Sequence, residues 1–363
     1  MPTALELCAG AGGQAIGFEG AGFAHVALID NDPHACASLR MNRPYWNVIE
    51  ADLCRLDASY WRGHVDVVTA GIPCPPFSIA GRQKGETDER DLFPALLKVV
   101  RHVRPRAVVV ENVRGLMARR FAPYRDRIAA RLAELDLKVD WRMLDAFEFG
   151  APQHRTRTFL VAVPDGLQFA WPAPNCVRGG TVGDVLRGMM AANGWERADE
   201  WADRADKPAP TLVGGSKRHG GPDLGPTRAR AAWAALGVDG RGIANLPPPR
   251  LFDGTPRLTV EMAARLQSFP EGWKLAGSKT QRYRQIGNAL PVDLGRAVAC
   301  AAAKCLAEAP RQASGPICGA GSESCWKAPT CRPPPMALRN GAGVCASFGK
   351  RGGRQAPTTT VPA

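Results

Sequence analysis

No run of about 18 consecutive apolar residues occurs in the 363-residue chain, and a membrane-crossing helix needs one of that length. The opening MPTALELCAG has no basic stretch ahead of an apolar one, so no export signal is expected. These two absences lead to the expectation of a soluble, cytoplasmic protein. None of the eleven cysteines stands in a C-x-x-C pair or in a Cys/His cluster with zinc spacing. No metal is therefore expected, and the thiols are expected to be reduced. There is no internal repeat.

What is present is an excess of positive charge, formally +13. Residues 310–363 hold seven Lys or Arg against one Glu, a net of +6, which leaves +7 for residues 1–309. Half the excess lies in a tail rich in Pro, Gly and Ser, expected to be disordered. Charge alone is thus a weak pointer to a polyanionic partner.

The first 163 residues alternate short apolar runs with helical patterns, as a doubly wound α/β sheet does. Strands are predicted at 3–8, 25–30, 64–70, 107–111, 138–146 and 158–163, and helices at 33–42, 91–103 and 123–135. From about 165 to 256 periodicity fades and Pro and Gly are frequent, which reads as a second, irregular lobe. Helical patterns return at 258–269 and 292–309.

ELCAGAGGQAIGFEGAGF (6–23) sets Gly10, Gly12 and Gly13 between the first strand and a helix. Glycines there permit a sharp turn and close approach of a ligand to the backbone. Asp30 ends the second strand twenty residues past Gly10, where a carboxylate can accept both ribose hydroxyls. Asp52 follows the next strand and can take an adenine amino group. The set points to an adenosine-containing cofactor and leaves nicotinamide, flavin and S-adenosylmethionine open.

GIPCPPFSIAG (71–81) frames a single thiol with prolines at the end of a buried strand, and RAVVVENVRGL brings Glu111 to the end of another. The proline after Cys74 favours an extended backbone at the cysteine. In a doubly wound sheet both residues reach the crevice at the carboxyl ends of parallel strands. A thiolate adding to C6 of a cytosine, with a carboxylic acid at N3, converts the ring into an enamine nucleophilic at C5.

The chain here resembles the bacterial C5-cytosine-specific DNA methyltransferases over nearly all of residues 3–305. The resemblance rests on ELCAGAGGQAIGFEGAGF, PCPPFS, ENV, QHRTR (153–157), RLTVEMAARLQSFPEGW (257–273) and QIGNALPVDLGRAVA (285–299), in the family's order. It implies a Rossmann-like S-adenosylmethionine-dependent methyltransferase sheet with a smaller target-recognition lobe. The cofactor and catalytic domain would be residues 1–164 plus 274–309, the recognition lobe 165–273, and the tail 310–363.

The resemblance also implies roles. Cys74 would be the nucleophile, Glu111 the acid at the cytosine ring edge and Arg157 the cation at the base O2, with Arg155 and Gln153 bracing the catalytic site. Cys8, Ala9, Gly10, Gly12, Gly13, Asp30, Asn31, Asp52, Leu53, Pro73, Leu92, Asn288 and Ala289 would line the cofactor pocket. Double-stranded DNA is the implied partner, held by a monomer. Ser78, Arg82, Gln83, Lys84 and Arg90 lie in a loop suited to close over a flipped base, and Lys217, Arg218, Arg228 and Arg230 in the lobe that would read sequence. Three positions depart from the family pattern: Cys8 stands for an aromatic residue, Pro75 for Gln and Asp30 for Glu. An RNA cytosine-5 methyltransferase is the alternative. An amino-group methyltransferase fits less well, because it needs an oxygen acceptor where Cys74 stands.

Overall fold

The computed structural model describes residues 1–73, 91–174, 179–214 and 222–308. Cys74, Ser78, Arg82, Gln83, Lys84, Arg90, Lys217, Arg218 and the tail lie outside the described residues.

The strands are β1 (Thr3–Leu7), β2 (Ala24–Asp30), β3 (Val48–Glu50), β4 (Val67–Gly71), β5 (Ala107–Val113), β6 (Leu137–Asp145) and β7 (Thr156–Pro164). They form one sheet in the order β3-β2-β1-β4-β5-β7-β6. The first five pair in parallel, whereas β7 runs antiparallel to both of its neighbours. A parallel sheet is covered on both faces, so its central strands read as near-continuous apolar runs. In β4 and β5, Val68, Ala70, Val108 and Val110 face one core and Val67, Val109 and Ala107 the other.

The helices are α1 (Gly13–Gly20), α2 (Pro33–Asn42), α3 (Phe93–Val103), α4 (Ala122–Ala133), α5 (Val182–Met190), α6 (Ala198–Arg204), α7 (Thr227–Ala234), α8 (Val260–Leu266), α9 (Lys279–Asn288) and α10 (Val292–Glu308). Leu96, Val100, Ile128 and Leu132 pack α3 and α4 on one face of the sheet, while Phe18, Leu294, Val298 and Ala302 pack α1 and α10 on the other. Close approach of α1 to α10 depends on Gly17: a Cβ there would lie 2.5 Å from the Arg296 amide nitrogen and 2.7 Å from the Gly295 carbonyl carbon. The last helix thus completes the layer begun by the first. Among the described residues no helix is long and apolar enough to cross a membrane.

Among its described residues the irregular region has three α-helices, of seven to nine residues, and no strand of its own. Its Trp201, Trp233 and Ile243 share one apolar cluster with Ala11, Leu39 and Trp46 of the first lobe, and Met1–Gln312 is one compact unit. Helix α9 was not among the predicted elements. Only Tyr283, Ile286 and Gly287 of its ten residues are buried, too thin an apolar stripe to announce a helix. Its start is a capping box, with Ser278 and Gln281 each accepting the other's backbone N–H.

Candidate active site

Strand order reverses between β1 and β4, the place where open α/β sheets bind ligands beyond their carboxyl ends. β1 leads into Cys8 (φ 55°), Gly10 (φ 54°) and Gly12 (φ 91°), all left-handed. For Cys8, a non-glycine, that backbone costs roughly 1–2 kcal/mol. Burial pushes its thiol well above the usual range. The turn is tied to the end of β2: the Ala9 N–H donates to the Ile29 carbonyl at 3.1 Å, and the Gly10 N–H donates to Asp30 Oδ2 at 2.7 Å. Asp30 Oδ1 accepts the Asp32 N–H at 2.8 Å. Burial raises the Asp30 carboxyl above its ordinary value, and these N–H groups work against that rise.

A Cβ built on Gly10 would meet nothing within 4 Å, so open space lies beside the turn. Gly13 faces the other way, its Cβ position only 2.1 Å from the Leu290 carbonyl oxygen. It serves close packing against the GNALP segment. Asp52 and Asn31 are exposed, Leu53 is buried and Leu92 is half-buried. Asp52 caps its own turn, Oδ1 accepting the Cys54 N–H at 2.9 Å. Pro73 is exposed at the end of the segment that β4 opens.

Gly71 and Glu111 are register partners on β4 and β5, and Val113 pairs with Arg157 on β7. Because β7 is antiparallel, its beginning reaches the edge where β5 ends. Arg157 Nε meets Glu111 Oε1 at 2.9 Å, each side chain 13 % exposed. Burial pushes the Glu111 carboxyl above its ordinary value, and Arg157 and Arg155 pull it back. Its Oε2 lies 3.9 Å from the Cβ position of Gly71, which is itself 3.4 Å from the Cys8 carbonyl oxygen. Glu111, the end of β4 and the glycine turn thus adjoin.

Arg155 is buried and works on backbone: Nη1 donates to the Leu212 carbonyl at 2.7 Å and Nη2 to the Gly287 carbonyl at 2.9 Å. Burial holds its pKa well below the usual guanidinium value, and the charge of Arg157 adds to this. Gln153 accepts the Leu212 N–H at 2.9 Å and donates to Gln267 Oε1 at 3.0 Å. Gln267 in turn donates to the carbonyls of Ile286 at 2.8 Å and Ala289 at 3.2 Å. Gly214 and Gly287 abut, a Cβ on Gly287 falling 2.5 Å from Gly214 Cα. Asn288 Oδ1 would be 2.5 Å from a Cβ on Gly214. QHRTR, the LQSF end of α8, GNALP and the loop at 211–214 are therefore one buried polar joint. Gln267 had no assigned role from sequence, and its signal was a lone amide closing an apolar helix.

Arg228 is exposed on α7, while the stem of Arg230 packs against Gly240 and its Nη2 lies 3.4 Å from Thr227 Oγ1.

The family model described as C-5 cytosine-specific DNA methylase matches residues 3–218 and 245–304. The type II methyltransferase M.NaeI of Lentzea aerocolonigenes is 48 % identical over 301 residues, covering 81 % of this chain and 73 % of its own. M.NgoMIV of Neisseria gonorrhoeae is 44 % identical over 301 residues, covering 82 % and 95 %. Among solved structures, a putative prophage-encoded DNA modification methyltransferase from E. coli superposes with a TM-score of 0.60 at 21 % identity, over 85 % of this chain and all of that one. A Spodoptera frugiperda DNMT2 variant gives a TM-score of 0.59 at 17 % identity, covering 85 % of this chain and 100 % of that one. Nearly three hundred residues of this chain, from β1 into α10, thus answer to one pattern, and the chain belongs to the C-5 cytosine-specific DNA methylase family.

Proposed function

We propose that this DNA cytosine methyltransferase acts on a cytosine flipped out of duplex DNA, through a transient covalent bond between Cys74 and C6. The observation that carries the reading is the Glu111–Arg157 pair at the shared edge of β4 and β5, with the Glu111 carboxyl biased by burial toward its protonated form. Pro73, joined to Cys74, continues from β4, the strand paired with that of Glu111.

The site fits S-adenosylmethionine: the left-handed turn leaves open space at Gly10, and Asp30 and Asp52 stand at the ends of β2 and β3 as hydroxyl and amine acceptors. When bound, it supplies an electrophilic methyl group. Gly10, Gly12, Asp30, Asp52 and Leu53 would hold it, with Asn288 and Ala289 closing the pocket from α9.

The Cys74 thiolate adds to C6 as Glu111 gives a proton to N3, and the ring electrons move to C5, which takes the methyl group. Transfer of the C5 proton to a solvent water then re-forms the C5–C6 double bond and expels the thiolate, while the N3 proton returns to Glu111. Arg157 holds the Glu111 carboxyl in place and sets a guanidinium charge at the edge of the site for the base O2. Arg155 braces the strand by holding the 211–214 loop. Arg228 and Arg230 supply charge for phosphates and base edges. The type II naming of two relatives supports a modification role beside a restriction endonuclease.

Duplex DNA bearing 5-fluorocytosine, incubated with the protein and S-adenosylmethionine, is expected to give a denaturation-resistant adduct, since fluorine at C5 blocks the final elimination. An adduct that persists in Cys74→Ala, or methylation appearing on an amino nitrogen, would refute the mechanism.

A further inference from the structure

Trp273 lies beyond α8, more than 250 residues from the glycine turn in sequence, yet its indole Nε1 donates to the Ala11 carbonyl at 3.2 Å. Ala11 stands between Gly10 and Gly12, both left-handed. A peptide flanked by two such residues is easily re-oriented, because glycine has no Cβ to lock its neighbours. The ring also fills the space under the turn: a Cβ on Gly12 would lie 3.3 Å from Trp273 Cζ2.

Trp273 is itself held from several sides. Arg43, paired with Glu19 at 3.0 Å, sits 5.4 Å from the Trp273 ring centre and 5.7 Å from that of Trp46. The Phe269 ring is 5.9 Å away. Asn42 grips the following residue in both directions, its Nδ2 donating to the Lys274 carbonyl at 2.7 Å and its Oδ1 accepting the Lys274 N–H at 2.8 Å. A buried ring fixed in this way, with its one polar atom spent on the turn, serves as a strut for a specific carbonyl.

We propose that Trp273 is a positioning residue for the methyl donor, fixing the Ala11 peptide so that the Gly10–Gly12 turn presents its backbone to the cofactor. The inference rests on the reading of that turn as the S-adenosylmethionine site.

The test is titration of S-adenosylhomocysteine into the full-length protein by calorimetry, with Trp46→Phe as the matched control. Trp46 belongs to the same aromatic cluster but donates its indole N–H to Glu19 Oε1 at 3.1 Å and not to the turn. Trp273→Phe keeps the ring and is expected to weaken binding about tenfold, the scale of one lost hydrogen bond. The KM for S-adenosylmethionine should rise by the same factor, with kcat at saturating donor and the KM for DNA staying within about twofold. Trp46→Phe should shift the affinity by less than about twofold. Equal weakening by both variants, or none by Trp273→Phe, would overturn the proposal. If Trp273→Phe does not fold, Asn42→Ala replaces it, since it frees Lys274 without touching the ring and should weaken binding in the same direction; unchanged affinity there would overturn the proposal. Failure of the unaltered protein to bind S-adenosylhomocysteine would instead overturn the cofactor reading, and this inference with it.

Discussion

Replacing Gln267 by Met tests whether the buried joint behind the site is a structural unit. Methionine matches glutamine in length and leaves no void, so the loss is confined to polar contacts. Three hydrogen bonds disappear: those to the Ile286 and Ala289 carbonyls and the one from Gln153. Each contributes about 1 kcal/mol net. The Ile286 carbonyl still accepts the Ala289 N–H at 3.1 Å, and Gln153 Nε2 still reaches the Leu266 carbonyl at 3.1 Å. Only the Ala289 carbonyl loses its donor, which adds about 1 kcal/mol. The expected destabilisation is therefore about 3–4 kcal/mol, read from urea unfolding followed by circular dichroism. A double-mutant cycle with Gln153→Met should show the two losses to be less than additive by about 1 kcal/mol, because one bond is shared. A loss under about 1 kcal/mol for Gln267→Met, or strict additivity, would refute this account of how the joint holds.

Gly17→Ala should destabilise the fold by about 1–3 kcal/mol, since its Cβ would press on the backbone of α10 and not on a yielding side chain; a melting temperature equal to wild type would refute it. Glu6 is buried on β1, and burial lifts its carboxyl well above the usual range. With the folded pKa raised, the native state holds the proton longer than the unfolded chain does. Its contribution is full below the unfolded value and is lost as pH rises toward the folded one. Glu6→Gln should therefore melt like wild type near pH 4.5 and above it at alkaline pH, when both are followed by scanning calorimetry. Parallel melting curves of the two proteins against pH would contradict this.

Six strands were legible because alternation and valine runs carry the burial pattern, and helix α2 matches its predicted bounds, 33–42. The short β3 was legible only as a strand without bounds ahead of Asp52, because three residues are too few to show a period. What sequence could not show was convergence. Nothing in QHRTR states that Arg155 holds carbonyls at Leu212 and Gly287, because both partners are backbone atoms contributed by distant segments. Asp30 was legible as a carboxylate at a strand end, but not as the acceptor that ties down Gly10. Trp273 carried no signal beyond its place in a motif. The left-handed backbone at Cys8 was equally invisible, being imposed by the turn and not by the residue.

The seating of α10 on α1 has a consequence for synthesis. Helix α1 is synthesised long before α10, so on a growing chain the apolar face that carries Phe18 stays uncovered until residues 292–308 have been made and can fold back onto it.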